Sequence, residues 1–403
     1  MAYETTPEIR ARLRRQRRNR GWDIPRMARE LREASEYPHK MPSERSITRY
    51  VERWEDGQVR RITERYRILY AQALSMSQEE LFEDGPQLPP RPDPSEGDVE
   101  AIRMMLTALM AADRRFGGRS IHRQAGDYLT DVVEPMLRGQ APEALKRRLF
   151  GLATEFTLRV AAMHLDADQL DRALSLLGRA SSMAAESADT TLTAWVLSRR
   201  GEHEMHQAAL THRPDRRATF IRQALAYTEG AAGIARSAPP LGCAFLTTKH
   251  ALAWSLTGDR ARTQHVLGTI WAAYERSGDA EEPEWMGAYG YGHLRHEEAR
   301  CYVNLGMGRR AVQAAEECLT VRTAARPRAF TLGVLAIGHA QVLEVEAACA
   351  AARQLVELAP QISSRRVCIR LGEVLDALTP YEDTPAVIEL REAAEPVLQG
   401  CGL

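Results

Sequence analysis

Between Ser43 and Gly57 the chain interleaves two sets of residues: Ile47, Tyr50, Val51 and Trp54, and Arg45, Thr48, Arg49 and Glu52. At roughly 100° per residue a helix sorts them onto opposite faces, with Arg53 at the edge of the polar one. The apolar face must be buried. The other has the chemistry of a nucleic-acid reader: an arginine presents two donors that match O6 and N7 of guanine, and a threonine methyl can meet that of thymine. Ser46 in the first turn and Arg26 on the preceding helix extend the candidate contact set. Arg10, Arg14, Arg15, Arg17 and Arg18, in the stretch before that, are suited to phosphates; Arg14 and Arg17 are the pair we assign to the DNA backbone.

Other chemistry is scarce. HEMH at 203–206 is one residue short of the HExxH zinc pattern, so its imidazoles cannot stand one turn apart. GxxxxGK[ST] and GxSxG are absent, and Gly290-Tyr-Gly292 is not a phosphate loop. We therefore expect no catalytic residues, no metal and no cofactor, and a protein that is not an enzyme. The six cysteines have no CxxC pair. They read as small buried thiols in a reducing compartment rather than as a disulfide framework or a zinc site.

Five short helices position the basic face. The first runs from Pro7 to Arg20 and stops at Gly21, with Ile9 and Leu13 inward. Asp23 caps a second, Ile24 to about Ala34, and Ser43 caps a third, Glu44 to Asp56. A fourth spans 62–74, and Ser77 with Glu80 forms a capping box for a fifth ending near Phe82. Residues 85–98, GPQLPPRPDPSEGD, hold five prolines in fourteen positions and read as a linker. The expected organisation is thus 1–84, a linker at 85–98, and 99–403.

Charge follows that division. The chain is neutral, with 54 Lys+Arg against 54 Asp+Glu, which excludes a uniformly basic nucleic-acid coat. Residues 1–70 nevertheless hold 18 basic against 11 acidic residues. No apolar run is long enough to span a membrane and no apolar stretch follows the basic N-terminus, so a cytoplasmic protein without membrane association is expected.

Residues 7–82 resemble the Cro/repressor-type (XRE) helix-turn-helix family in three stretches: IRARLRRQRRNRGWDIPRMARELR, SITRYVERWEDG and YRILYAQALSMSQEELF. The link between the second and third helices, ASEYPHKMPS, is longer than the family's tight turn. The resemblance implies binding to double-stranded DNA as a homodimer on a near-palindromic operator.

Beyond the linker nearly every segment has helical spacing. One pattern recurs: a small residue, an aromatic or histidine three later, a turn, then a small residue nine further on. Its copies are Ala161/His164/Ala173, Ala251/Trp254/Thr263, Ala299/Tyr302/Ala311 and Ala336/His339/Ala348, with a weaker one at Ala218. Small residues there let paired helices approach, and stacked pairs share a core. The pattern resembles the tetratricopeptide (TPR) repeat at a longer period. The fold class expected is all-α: a five-helix helix-turn-helix domain followed by a TPR-like α-solenoid.

In a TPR frame set by Tyr302 and Ala311, the concave surface receives His293, His296, Arg300 and Asn304. Asn304 can clamp a peptide backbone and Arg300 a carboxylate. Four tryptophans, Trp195, Trp254, Trp271 and Trp285, fall in the central repeats, mostly as core. The whole resembles actinobacterial XRE/TPR transcription regulators. The expected function is sequence-specific regulation, with the repeats mediating dimerisation and sensing a small-molecule or peptide signal. The alternatives are a regulator whose repeats bind only protein partners, or a repeat adaptor without DNA binding.

Overall fold

The computed structural model describes the chain except residues 1, 21, 36, 75, 83–92, 280–285, 287–288 and 402–403; the side chains at 2, 8, 18, 19, 79 and 80 are likewise outside it. The expected stop at Gly21, the partner Glu80, the phosphate candidate Arg18 and Trp285 fall on those positions, as does the proline-rich segment up to residue 92. The described chain is all-α apart from one two-stranded ribbon, and divides into two units, Met1–Pro92 and Asp93–Leu403.

The first unit contains β1 (Ala2–Glu4), α1 (Pro7–Asn19), α2 (Ile24–Glu33), α3 (Glu44–Glu55), β2 (Arg61–Thr63), α4 (Glu64–Ala73) and α5 (Gln78–Phe82). The capping residues explain where α2 and α3 start. The Asp23 carboxylate accepts from Arg26 N at 2.7 Å, and the Ser43 hydroxyl accepts from Ser46 N at 3.3 Å. Ile9, Leu13, Met27, Leu31, Ile47, Val51 and Tyr70 form the fully buried centre. The ribbon was not expected. Tyr3 pairs with Ile62 in an antiparallel register, so the start of the fourth predicted helix is a strand and α4 begins only at Glu64. The Ile62 side chain fills the core, and Tyr3 stacks edge-on against Phe82 at 6.3 Å.

The second unit opens with α6 (Glu96–Phe116), whose first three residues lie in the stretch expected to be linker. Ser95 N and Oγ donate to the Asp98 carboxylate at 2.8 and 2.6 Å, which starts the helix despite the prolines before it. After α7 (His122–Tyr128), a π turn at Leu129–Val133 and α8 (Glu134–Met136), the helices come in pairs. These are α9 (Glu143–Asp166) with α10 (Leu170–Ser187), α11 (Thr190–Leu210) with α12 (Pro214–Ala235), and α13 (Pro240–Ser255) with α14 (Arg260–Glu275). They continue as α15 (Tyr291–Asn304) with α16 (Gly308–Val321), α17 (Ala325–Gln341) with α18 (Val345–Leu358), and α19 (Arg365–Ala377) with α20 (Pro385–Gly400). The first members pack on one another in succession.

The repeat anchors explain the pairing. Ala173, Thr263, Ala311 and Ala348 lie in the first turn of a second-member helix and are fully buried, opposite the buried Ala161, Ala251, Ala299 and Ala336. Asp168, Gly258, Gly306 and Leu343 have left-handed backbones in the turns between the partners. The copy at Ala218 differs: Ala218 is exposed, and Ala224, six residues on, takes the buried place in the longer α12.

The pairs return to their origin. α17 packs on α6 and α19 on α9. At this seam Ser363 N donates to Phe116 O at 2.6 Å and Arg119 N to Ser363 O at 3.1 Å. A Cβ on Gly117, itself at φ +86°, would lie 2.5 Å from Ser363 O, so only glycine permits the contact. The cysteine reading needs correction. Cys368 and Cys401 are joined by a disulfide with Cα atoms 6.5 Å apart, because the α19–α20 hairpin brings its open ends together. Cys243, Cys301, Cys318 and Cys349 are thiols, and the last three are buried.

Candidate functional site

In the first unit α3 turns Ile47, Val51 and Trp54 into the core. This leaves Arg45, Arg49, Glu52 and Arg53 exposed along its other side. Among the described residues none of these three arginines has a hydrogen-bond or ion-pair partner. Thr48 is half-buried and its hydroxyl donates to Glu44 O at 2.9 Å, which leaves its methyl as the outward group. Ser46 shares a hydrogen with Ser43 at 2.9 Å between hydroxyl oxygens. Arg26, exposed on α2, makes a 3.2 Å contact with Glu30. The aromatic face behind α3 is continuous: Trp54 lies 4.9 Å from Tyr66 and 6.2 Å from Tyr70 between centroids. Helix α3 is therefore backed by an aromatic core and its basic side is open.

The helix α1 arginines are another matter. Arg17 is buried, not available to a phosphate. Its Nε and Nη2 donate to the two carboxylate oxygens of Glu55 at 2.7 Å each, and Nη1 donates to Trp22 O at 2.7 Å. The Glu55 hydrogen bond raises the guanidinium above its ordinary value despite burial. Arg14 donates to Glu55 O, and Arg10 to Thr5 O at 3.1 Å. Arg14 and Arg17 bolt α1 to the end of α3, and Arg10 ties α1 to Thr5, just before it in the chain. Their spacing on α1 resembles a phosphate-facing stripe because both roles ask for arginines on one side of a helix. Arg15 remains exposed.

In the second unit the first-member helices α9, α11, α13, α15, α17 and α19, with α6, surround a cavity of about 840 Å³. His293, His296, Arg300 and Asn304, proposed from sequence, all line it. They are not equally free. Arg300 Nη1 donates to Glu297 at 3.0 Å, and the Asn304 amide donates to Ser255 Oγ at 2.8 Å. His296 Nδ1 lies 3.2 Å from Thr331 Oγ1. His293 Nε2 is buried without a hydrogen-bond partner. Burial pushes the His293 imidazole down to about 3 and His206, across the cavity, to about 4, so both are neutral near pH 7.

Sequence reasoning missed most of the wall. Nine lining residues are arginine or lysine against four carboxylates. They form linked networks. Lys249 bridges Glu202 at 3.3 Å and Glu297 at 2.9 Å. Burial would raise both carboxyls, but Lys249, helped by Arg199 and Arg300 respectively, holds them well below the ordinary range. Behind the wall, the fully buried Asp166 accepts from both Arg326 and Arg366, and Arg326 also meets Asp113 at 3.1 Å. Burial opposes the Asp166 charge and the two arginines prevail, leaving it below its usual value.

Arg322 is the exception. It donates to Gly292 O at 3.1 Å and to Pro327 O and Thr331 Oγ1 at 3.2 Å, all neutral acceptors. Burial lowers its affinity for a proton; Cys318 and Glu297 oppose that, neighbouring Arg300 and Arg114 add to it, and the balance stays below the ordinary value. Arg370, paired with Glu373 at 2.6 Å, is likewise lowered by burial and by Arg300. The visible signal for these groups was paired arginines at 322/326 and 366/370, which sequence alone cannot tell from solvated helix charges. The apolar part of the wall comes from Met110, Met163, Leu252, Phe330 and Ile369.

Among the described residues no group of three or more His, Cys, Asp or Glu stands where it could hold a metal ion, and no helix is long and apolar enough to cross a membrane. No family model and no curated protein matches the chain.

Proposed function

We propose that this protein is a sequence-specific DNA-binding transcription regulator, with the first unit a helix-turn-helix domain and the second a TPR-like repeat receptor. The observation that carries the reading is the basic side of α3. Arg45, Arg49 and Arg53 are exposed, and without a side-chain partner among the described residues, on a helix whose opposite side is locked into an aromatic core. Unpaired arginines held in fixed register are what bidentate recognition of guanine requires. In this reading Arg45, Ser46, Thr48 and Arg49 meet base edges, while Arg53 and Arg26 flank them at the phosphates. Two heads on a near-palindromic operator supply the specificity that a single short helix cannot, and the second unit is the homodimerising and signal-sensing part. The cavity supports a bound signal over a purely protein partner, because its size falls in the range of small-molecule sites.

The test begins with operator selection from random duplexes by the full chain. Fluorescence anisotropy then compares the selected and a scrambled duplex for wild type and Arg49→Ala. The reading expects wild type to prefer the selected sequence and Arg49→Ala to lose most of that preference. A wild-type chain that enriches no sequence overturns it.

A further inference from the structure

The cavity of the second unit has a charge the rest of that unit lacks. Outside residues 1–70 the chain carries an excess of acidic residues. Among the described residues that line the cavity, cations outnumber carboxylates nine to four. Setting Arg114 aside and adding Glu155 and Asp166, which reach the wall's arginines from behind, eight cations still face six carboxylates. Glu297 is committed to Lys249 and Arg300, Glu373 to Arg370, and Asp166 to Arg326 and Arg366. Arg322, buried beside them, has only neutral acceptors among the described residues. Removing guanidinium groups from water without counter-charge is costly, and the residue best suited to planar oxyanions is the one left over.

We propose that the cavity binds an organic anion carrying at least two negative charges. One compact oxyanion group, carboxylate or phosphoryl, sits in the corner formed by Arg300, Arg322 and Arg370, and the body lies against Met110, Phe330 and Ile369. The inference rests on the reading of the second unit as a signal receptor and narrows its ligand to a chemical class. The neutral His293, whose Nε2 has no partner, adds a hydrogen-bonding group to the same wall without adding charge. Monoanions satisfy only part of the surplus, and cations are repelled.

The experiment uses the full chain without DNA. Isothermal titration calorimetry compares citrate, inorganic pyrophosphate and acetate at matched ionic strength. Citrate or pyrophosphate, or both, should bind at least roughly tenfold more tightly than acetate, and Arg322→Gln should weaken that binding roughly tenfold or more. Arg309→Gln, an exposed arginine away from the cavity, should leave it unchanged. Binding of citrate alone assigns a carboxylate and of pyrophosphate alone a phosphoryl group, and either supports the proposal. Because Arg322 also ties Gly292 to Thr331, a second variant, Met110→Trp, narrows the cavity while keeping every cation, and should also weaken binding. The proposal is overturned if neither multivalent anion outcompetes acetate, or if binding is unchanged in Met110→Trp and in any folded Arg322→Gln. Loss of operator preference with anion binding intact would instead sink only the DNA-binding reading.

Discussion

Arginine does two opposite things in this chain. On α3, Arg45, Arg49 and Arg53 stand in solvent without partners among the described residues. Around the cavity, Arg326 and Arg366 converge on one fully buried carboxylate. The exposed set costs the fold almost nothing and leaves its donors available for a partner. The buried set is bound into the fold, and removal of one member leaves its counter-charge stranded in low dielectric. Position, not residue type, decides whether an arginine is left free at the surface or bound into the architecture. Arg17 shows how easily the two are confused, since it sits on a basic helix yet belongs to the second class.

The contrast predicts its own failures. The largest effect is expected from Asp166→Asn, which keeps the shape and removes the charge two guanidiniums share, leaving Arg326 with Asp113 and Arg366 with Glu202 at 3.8 Å. It should destabilise the second unit by about 3–5 kcal/mol, read as a fall in the urea midpoint and as faster hydrogen exchange at the 116/363 seam. An unchanged midpoint would mean that the buried arginines are compensated in some other way. Arg17→Ala should come next at about 3 kcal/mol, with exchange accelerated in residues 2–82 and not beyond 93. Loss of DNA binding at all sequences would then follow from unfolding. A variant that folds as tightly as wild type while losing only salt-dependent affinity would return Arg17 to the phosphate-contacting class. Arg49→Ala is the exposed counterpart. It should leave stability unchanged within about 0.5 kcal/mol and cost about 1–3 kcal/mol on a selected operator, with little change on a scrambled one. Equal losses on both duplexes would make Arg49 a phosphate contact.

The features that were legible in sequence are those built from neighbouring residues. Asp23 and Ser43 mark helix starts because a cap acts over three residues. Ala173, Thr263, Ala311 and Ala348 were found because each repeat must bring two adjacent helices together at a small side chain. The same logic misplaced the weak copy: α12 carries extra residues, so its close approach shifted from Ala218 to Ala224. His293, His296, Arg300 and Asn304 were placed on one wall because they lie on a single helix, α15. What stayed hidden depends on distant residues meeting. Arg17 and Glu55 are 38 positions apart, and Cys368 and Cys401 are 33. The cationic corner needs α15, α17 and α19 with the turn before α17, and no periodicity within one segment announces it. The ribbon of β1 and β2 was missed because three-residue strands carry too little alternation to be read.

The smallest predicted effect is the sharpest control. Arg147 on α9 pairs with Glu143 one turn earlier at 2.8 Å, a distance as good as any in the buried networks, but the two side chains are 56% and 72% exposed. Both groups are solvated whether or not they pair, and holding two long side chains together costs conformational entropy. Arg147→Ala should therefore change stability by only about 0.3–0.5 kcal/mol, and the difference should shrink between 0.05 and 0.5 M salt, as the Debye length falls from about 14 Å to about 4 Å. Asp166→Asn, on the same helix, should show less salt dependence, because Asp166 itself is fully buried and its two ion pairs are held at the protein interior. Urea titrations of both variants at the two salt concentrations decide the matter. If the Arg147 loss equals that of Asp166, distance rather than burial governs these arginines, and the division between architectural and recognition arginines would have to be redrawn.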